Sequence, residues 1–395
     1  MRALVIGGSL GGLFAANLLH DQGWDVEVFE RVGDDLAARG AGIGTHTELL
    51  GVLARLGIRI DEKLGIEAFE RICVDREGRE LYRTRWGHIM SAWASVYRPL
   101  KDRFPAARYH FGKGFTRFSG TDAITAHFDD GSQASGDLLI GADGLRSAVR
   151  AQLFPEAQPE YAGYVAWRSI VEEGALPAAT REWLGTGYWF VLPPAEMMLC
   201  YQVPAKDPKR TGRDWNYVWY RPVTPAQLAD LNTDAGGRHH AGGIPPPLIR
   251  AGNLEKIKED ARRLLAPHIA TLVERSQPFF QAIFDVESPR LAVGRVALLG
   301  DAAFVARPHV GMGVTKGALD ALCLAKSLET SRDPESALAR YDRLRGEFGR
   351  RCVARARRLG AYIEFPERKL DQRPERVLHE VAAALGEIPE LAIET

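Results

Sequence analysis

Three stretches of this chain place a carboxylate beside a glycine-rich turn that follows a short apolar run. The first is ALVIGGSLGGLFAANLL, residues 3–19, with Glu30 eighteen positions beyond Gly12. The second, IGADGLRSAVR (140–150), carries Asp143, Gly144, Ser147 and Arg150. The third, VALLGDAAFVARPHVGMGVTKGALDA (296–321), carries Asp301, Pro308, Gly311 and Gly313. Residues of these types in this order suit the holding of a phosphorylated, hydroxyl-rich cofactor. Gly7 frees a strand to turn sharply into a helix. Gly12 permits close helix–strand packing, and the N–H groups at the start of the helix that follows the glycine-rich turn face an anion. Where the dinucleotide fingerprint G-x-G-x-x-G has its middle glycine, this chain has Ser9, preceded by Gly8. Ser9 adds only a Cβ and a hydroxyl, and the hydroxyl can donate to phosphate. Glu30 stands near the ~20-residue spacing of an acid that bonds ribose hydroxyls. An aspartate at the C-terminal edge of a strand is placed for a sugar-like hydroxyl, because open α/β sheets bind ligands there. The G-x-G at 311–313 offers N–H groups at a helix start to a carbonyl edge. Taken singly, each stretch also fits a plain strand–turn–helix with an Asx cap. Three in order favour a cofactor site.

A second set of residues suits proton handling and ring recognition. His309 follows Pro308 at a turn and can accept from or donate to a ring hydroxyl; the alternative is an imidazole bonded to backbone in a packed turn. His46, in GAGIGTHTELL, is either a substrate contact or a helix-start residue. Tyr220 and Trp219 lie on the aromatic run WNYVWYR, and strand alternation allows only one of them to face a site. Arg168 and Arg307 can pair with an acidic substrate oxygen, surface salt bridges being the plainer expectation. His239 and His240 sit in a Gly/Pro-rich loop with no Asp or Cys at ligand spacing, so no metal site is expected.

The elements that must position these residues follow from pattern. RALVIG, a glycine-rich breaker, GLFAANLLHDQG and DVEVFER read as a βαβ unit with parallel strands. TELLGVLARLG reads as a further helix closed by Gly57. Residues 70–85 and 115–140 are β-rich, with a hairpin feeding a buried strand at 138–140. From Tyr161 to Arg290 the chain is strand-like and aromatic. The segment 236–252 is too rich in glycine and proline for regular structure and reads as a lid-like loop. A helix is expected over 253–275, and helical pattern runs from Gly313 to about Gly360. The fold class expected is α/β with an α+β insertion. A Rossmann-like cofactor domain (1–160 and 291–365) is interrupted by a β-rich substrate domain (161–290), and C-terminal helices and a segment at 366–395 follow.

Composition excludes several alternatives. With 51 basic and 51 acidic residues in 395, nothing electrostatic recommends nucleic acid or an anionic membrane. Eight arginines within 340–358 read as a solvated helix face. The four cysteines form no C-x-x-C, which fits reduced structural thiols. No apolar run is long enough to span a bilayer. A soluble, cytoplasmic protein is expected.

The order G-x-x-x-x-G with Glu30, D-G-x-x-S-x-x-R at 143–150 and G-D-A-A-x-x-x-x-P-x-x-G-x-G at 300–313 resembles the single-component flavoprotein aromatic hydroxylases, which share the 4-hydroxybenzoate hydroxylase-like fold. The resemblance runs through essentially the whole chain. It implies FAD, with the pyrophosphate over Gly7, Gly8, Ser9, Leu10 and Gly12 and the adenosine ribose on Glu30. Arg31, Thr45 and Phe115 join the FAD-binding set. Asp143 lies by the pyrophosphate, Asp301 by the ribityl chain, and Pro308, Gly311, Met312, Gly313, Val314 and Thr315 by the isoalloxazine. It implies NADH or NADPH as a transient co-substrate, since no second fingerprint is present, and O2 as oxidant. The implied reaction hydroxylates a small electron-rich aromatic or N-heteroaromatic ring, 2,6-dihydroxypyridine-like or else urate-like, through a flavin C4a-hydroperoxide, with His309, Tyr220 and His46 serving it. A non-hydroxylating flavoprotein reductase is the rival, and the W-x-W-x-I-P stretch of flavin halogenases is absent. Dimers are common in such enzymes, which leaves a homodimer open. The chain departs from the pattern at Phe304 and Thr315, where relatives often carry histidine and asparagine. Near Leu100, Tyr97 stands where many relatives carry an FAD-binding arginine, with Arg98 beside it as the candidate replacement.

Overall fold

The computed structural model describes residues 1–38, 42–207 and 210–364; the expected segment 366–395 lies outside them. Strand Arg2–Ile6 pairs in parallel with Asp25–Glu30 on one side and Leu138–Gly141 on the other. Val296–Leu298 extends the sheet beside 138–141, Tyr109–Phe111 closes the far edge, and Ala292–Val293 adds an antiparallel end. The central strands are apolar on both faces, as a parallel sheet covered by helices requires. Helices Leu10–Asp21 and Gly313–Thr330 approach closely where Gly11 and Gly317 meet: a Cβ on Gly317 would lie 3.7 Å from the Gly11 Cα.

A second sheet has nine strands, in the order 304–305, 279–287, 160–172, 213–222, 197–204, 188–191, 66–74, 80–92 and 42–45. Every neighbouring pair is antiparallel except 188–191 with 66–74. This sheet crosses the boundaries expected at 160 and 290. Strands 42–45, 66–74 and 80–92 come from before the boundary and 304–305 from after it, because edge hydrogen bonding is satisfied across the sequence division.

Side-chain alternation gives the sheet two different faces. Val165, Trp167, Trp215, Tyr217, Trp219, Met198 and Cys200 pack with helices Ala251–Leu264 and Pro267–Glu274. Tyr164, Ala166, Tyr188, Leu199, Tyr201, Val218 and Tyr220 share the opposite face. The single helix expected over 253–275 is therefore two, divided at Leu265–Ala266 where Pro267 starts the second. The helical pattern from Gly313 likewise breaks after Thr330 and restarts at Pro334, running to Glu364. No helix among the described residues is long and apolar enough to cross a membrane.

Candidate active site

A cavity of about 1800 Å³ lies between the two sheets, from the glycine-rich turn to the aromatic face of the larger sheet. Its first wall is the turn after Arg2–Ile6. Gly7 has φ +104°, and a Cβ there would lie 2.4 Å from the Ala142 carbonyl oxygen. A Cβ on Gly8 would lie 2.1 Å from the Tyr109 hydroxyl, which donates to the Gly8 carbonyl at 3.0 Å. On Gly12 it would meet the Gly7 oxygen at 1.9 Å. Three glycines are thus required by close approach, while Ser9 fits as the residue before helix Leu10–Asp21. The Ser9 hydroxyl makes no capping bond to that helix. Glu30, buried at the end of its strand, accepts from the Gly8 N–H at 2.8 Å and the Val32 N–H at 3.0 Å. The carboxylate is held in place and keeps lone pairs for a further donor.

The second wall joins the turns at 143–150 and 300–303. Asp143 accepts from the Ser147 hydroxyl at 2.5 Å and from the Ala148 and Val149 N–H groups at 2.7 and 3.3 Å. Its carboxylate, whose pKa burial raises, is largely consumed in ordering its own turn. Arg150 is structural as well, donating to the carbonyls of Ala157, Leu145 and Ala302 and so fastening one turn to the other. Asp301 is solvent-accessible on the cavity wall; the protein packed around it raises its pKa, with Lys316 and Arg150 opposing the rise. Beneath it lies a buried triad. Asp320 accepts from Lys316 Nζ at 3.1 Å, Arg345 Nε at 2.7 Å and the Gly300 N–H at 3.0 Å, and Lys316 also donates to the Gly300 carbonyl. Arg345 is therefore not part of a solvated helix face; its charge balances a buried aspartate under the Asp301 turn. Gly311 takes the left-handed conformation, φ +67°, that lets the turn at 308–310 enter helix Gly313–Thr330.

The third wall is aromatic and carries the histidines. His309 is buried, its Nε2 2.8 Å from the Tyr164 hydroxyl and its ring centroid 4.2 Å from that of Tyr220. Its Nδ1 is buried without a partner. Burial, aided by nearby Arg307, pulls its pKa down to about 3, so the ring is neutral. Tyr220 lines the cavity, and Trp219 packs on the opposite face under the Arg221 guanidinium, 4.5 Å from its ring. His46 stands at the start of helix Thr47–Arg55 without capping it. Its Nδ1 is 2.9 Å from the Thr315 hydroxyl, and its ring meets His88 edge-on at 5.1 Å. Both Nε2 atoms are buried and unpartnered. Burial and then Arg71 lower His46 to about 4; burial, His46 and Arg71 lower His88 to about 3.

Of the residues expected from sequence, Gly7, Ser9, Glu30, Arg31, Phe115, Asp143, Asp301, Pro308, His309, Gly311, Gly313, Val314 and Tyr220 line this one cavity. Gly8, Leu10, Gly12, Thr45, His46, Met312 and Thr315 stand behind its wall, shaping it through packing. Arg98 does not reach it; Trp93, one turn earlier on helix Trp93–Arg103 and stacked on Tyr97, lines it instead. Arg307 is no surface residue but a buried partner of Asp285, with Nη2 2.8 Å from the carboxylate. Arg168 lines the cavity and pairs with no carboxylate among the described residues. His240 bonds Asp234 at 2.8 Å, and His239 is exposed at the cavity mouth. Phe304 turns into the core against Gly349. Sequence reasoning missed Tyr164, His88 and the Lys316–Asp320–Arg345 triad. The period of two in YAGYVAWR puts Tyr164 on the same face as Arg168, a signal that was available; no pattern marks His88.

A family model described as FAD binding domain-like matches residues 161–285. The chain is similar to 2,6-dihydroxypyridine 3-monooxygenase of Paenarthrobacter nicotinovorans, 28% identical over 92% of this chain and 91% of that enzyme. It is similar also to an FAD-dependent urate hydroxylase of Klebsiella pneumoniae, 32% identical over 91% of this chain and 89% of the relative. Among solved structures, 2,6-dihydroxypyridine-3-hydroxylase from Arthrobacter nicotinovorans superimposes with a TM-score of 0.87 at 28% identity, covering 92% of each chain.

Proposed function

This chain belongs to the single-component FAD-dependent flavoprotein hydroxylases, and from that premise we propose that it hydroxylates a small electron-rich aromatic or N-heteroaromatic ring, using NADH or NADPH and O2. The observation that carries the reading is one continuous cavity. It joins a glycine turn closed to any Cβ and a braced Glu30 at one end to neutral histidines among tyrosines at the other. The residues present fit FAD. Gly7–Gly12 with the Ser9 hydroxyl would hold the pyrophosphate, Glu30 the adenosine ribose and Asp301 the ribityl hydroxyls. The N–H groups opening helix Gly313–Thr330 would hold the carbonyl edge of the ring system. FAD supplies the redox chemistry, taking electrons from the nicotinamide and passing one oxygen atom of O2 to the ring.

The protein's own residues position the ring substrate, exclude water and polarise its hydroxyl. With a pKa near 3, His309 cannot store a proton at neutral pH. In the tautomer whose Nε2–H donates to Tyr164, Nδ1 is an acceptor, and a ring O–H donating there gains electron density toward its ring. Tyr164 fixes the imidazole's orientation, and Tyr220 packs against its face. The aromatic wall keeps water away from the reacting carbon. The test is NADH and NADPH oxidation by the FAD-loaded protein with and without hydroxypyridines, hydroxybenzoates and purines, with product mass. A ring compound that accelerates oxidation and gains one oxygen atom supports the reading. Acceleration without oxygen gain by any of them refutes hydroxylation, and failure to bind FAD refutes the whole assignment.

A further inference from the structure

Resting on that reading, we propose that the ring is bound as an anion and that Arg168 anchors its anionic oxygen, whether a ring carboxylate or an ionised ring hydroxyl. Strand 160–172 places Arg168 on the same face as Tyr164 and Ala166, in register with Val218 and Leu199, which also line the cavity. Its guanidinium is held by neutral acceptors. Nη1 donates to Gln281 Oε1 at 2.7 Å, Nη2 reaches the Gly42 carbonyl at 3.4 Å, and Nε is buried without a partner. Gly42 is fixed in turn by its N–H donating to Asn216 Oδ1 at 2.8 Å. These bonds orient the cation without neutralising it.

The surroundings leave that charge uncompensated. Among the described residues between 161 and 290, Arg168 and Lys206 contribute to the cavity lining and no aspartate or glutamate does. The carboxylates that do line the cavity, Glu30, Asp143 and Asp301, all belong to the turns around the glycine-rich sheet. Two buried arginines elsewhere are balanced by carboxylates, Arg307 by Asp285 and Arg345 by Asp320, whereas buried Arg150 is engaged by three backbone carbonyls inside the fold, away from any entering group. A half-buried arginine aimed by neutral groups at a carboxylate-free wall therefore has its counter-charge supplied by what enters the cavity. A neutral ring would leave the cation desolvated and unpaired, which selects against it.

The experiment titrates FAD-loaded wild type, Arg168→Gln and Arg168→Lys with 6-hydroxynicotinate, 2,6-dihydroxypyridine and urate, following the flavin absorbance. The neutral 2,6-dimethoxypyridine serves as comparator, and KM for NADH and NADPH is measured alongside. Loss of a charge-assisted pair predicts a Kd for the bound anion raised roughly 10- to 100-fold in Arg168→Gln, with partial recovery in Arg168→Lys. FAD content, nicotinamide KM and neutral-ring binding should stay unchanged. Equal weakening for the neutral ring overturns the proposal, as does an effect confined to NADH or NADPH, which would assign Arg168 to the nicotinamide phosphates. If the wild type hydroxylates a neutral ring and binds none of the anions, the anchor fails and the hydroxylase stands. If no ring compound accelerates NADH or NADPH oxidation, both fall.

Discussion

Lowering the pH from 7 to 5 should destabilise this protein chiefly through three histidines that the fold keeps neutral. An unfolded histidine titrates near 6.5, whereas His46 is held at about 4 and His88 and His309 at about 3 by burial. A folded pKa below the unfolded one means the unfolded chain binds the proton first. The stabilisation is therefore complete above about pH 6.5 and falls as the pH drops from there toward the folded values. Between pH 7 and 5, protonation of each unfolded imidazole gains about 1.9 kcal/mol, and the folded state gains almost nothing, so the three together lose ~5–6 kcal/mol. Asp260 and Asp320, held below the usual aspartate range, lose their contribution only at lower pH, and Asp143, raised by burial, acts in the opposite direction. The assay is urea unfolding of wild type and of His46→Gln/His88→Gln/His309→Gln at both pH values, at constant excess FAD. The triple variant should be less stable at pH 7 yet lose ~5 kcal/mol less than wild type on acidification. Equal losses in the two proteins would show that these imidazoles are hydrated or charged in the native state, and the site chemistry argued from their neutrality would fail.

Gly8→Ala puts a Cβ against the Tyr109 hydroxyl and should abolish FAD retention, with Tyr109→Ala restoring part of it; flavin fluorescence reads both. Asp320→Asn leaves Lys316 and Arg345 buried with their charges unbalanced and should cost ~3–5 kcal/mol in denaturant unfolding. Ser9→Gly removes a hydroxyl that caps nothing, so stability should change by less than ~0.5 kcal/mol; any loss of FAD affinity by titration then measures a direct hydroxyl–phosphate contact. Tyr164→Phe frees the His309 Nε2 and should leave FAD bound while uncoupling NADH oxidation from ring hydroxylation, as the ratio of hydrogen peroxide to product reports.

The parts of the site legible in the sequence are those whose chemistry is local. A glycine turn between strand and helix, an acid ending the next strand and an aspartate after a buried strand each occupy a few consecutive residues, and all three line the cavity. Residues that act across the fold left no such mark. His88 lies mid-strand and gains its meaning only where strand 80–92 brings it against His46. Arg345 looks like solvated charge in a basic run and Arg307 like a surface ion pair, because the aspartates they pair with are distant in sequence: Asp320 lies a helix away and Asp285 on another strand. That the larger sheet draws strands from both sides of residue 160 left no mark in the sequence, because hydrophobic pattern identifies a strand and not the sheet it joins.

The segment 42–46 ties the two ends of the site together. Strand Gly42–Thr45 is the edge of the larger sheet, with Gly42 held by Asn216 and Arg168 and the Thr45 hydroxyl donating to Ser91 at 2.7 Å. One residue later, His46 is bonded to Thr315 on the helix that opens at Gly313. Five consecutive residues thus connect the wall bearing the unpaired cation to the helix start that would seat the flavin ring. Such a connection fixes the distance between anchor and reacting atoms by backbone and short side chains rather than by a flexible lid, and preorganisation of that kind favours one bound orientation over others. It also explains the small residues at Gly42 and Gly44. A Cβ at 42 would lie 2.6 Å from both the Asn216 side chain and the Tyr201 hydroxyl, and one at 44 would lie 3.1 Å from His88 Nε2. Bulk at either position would push apart the groups that the segment exists to hold in register.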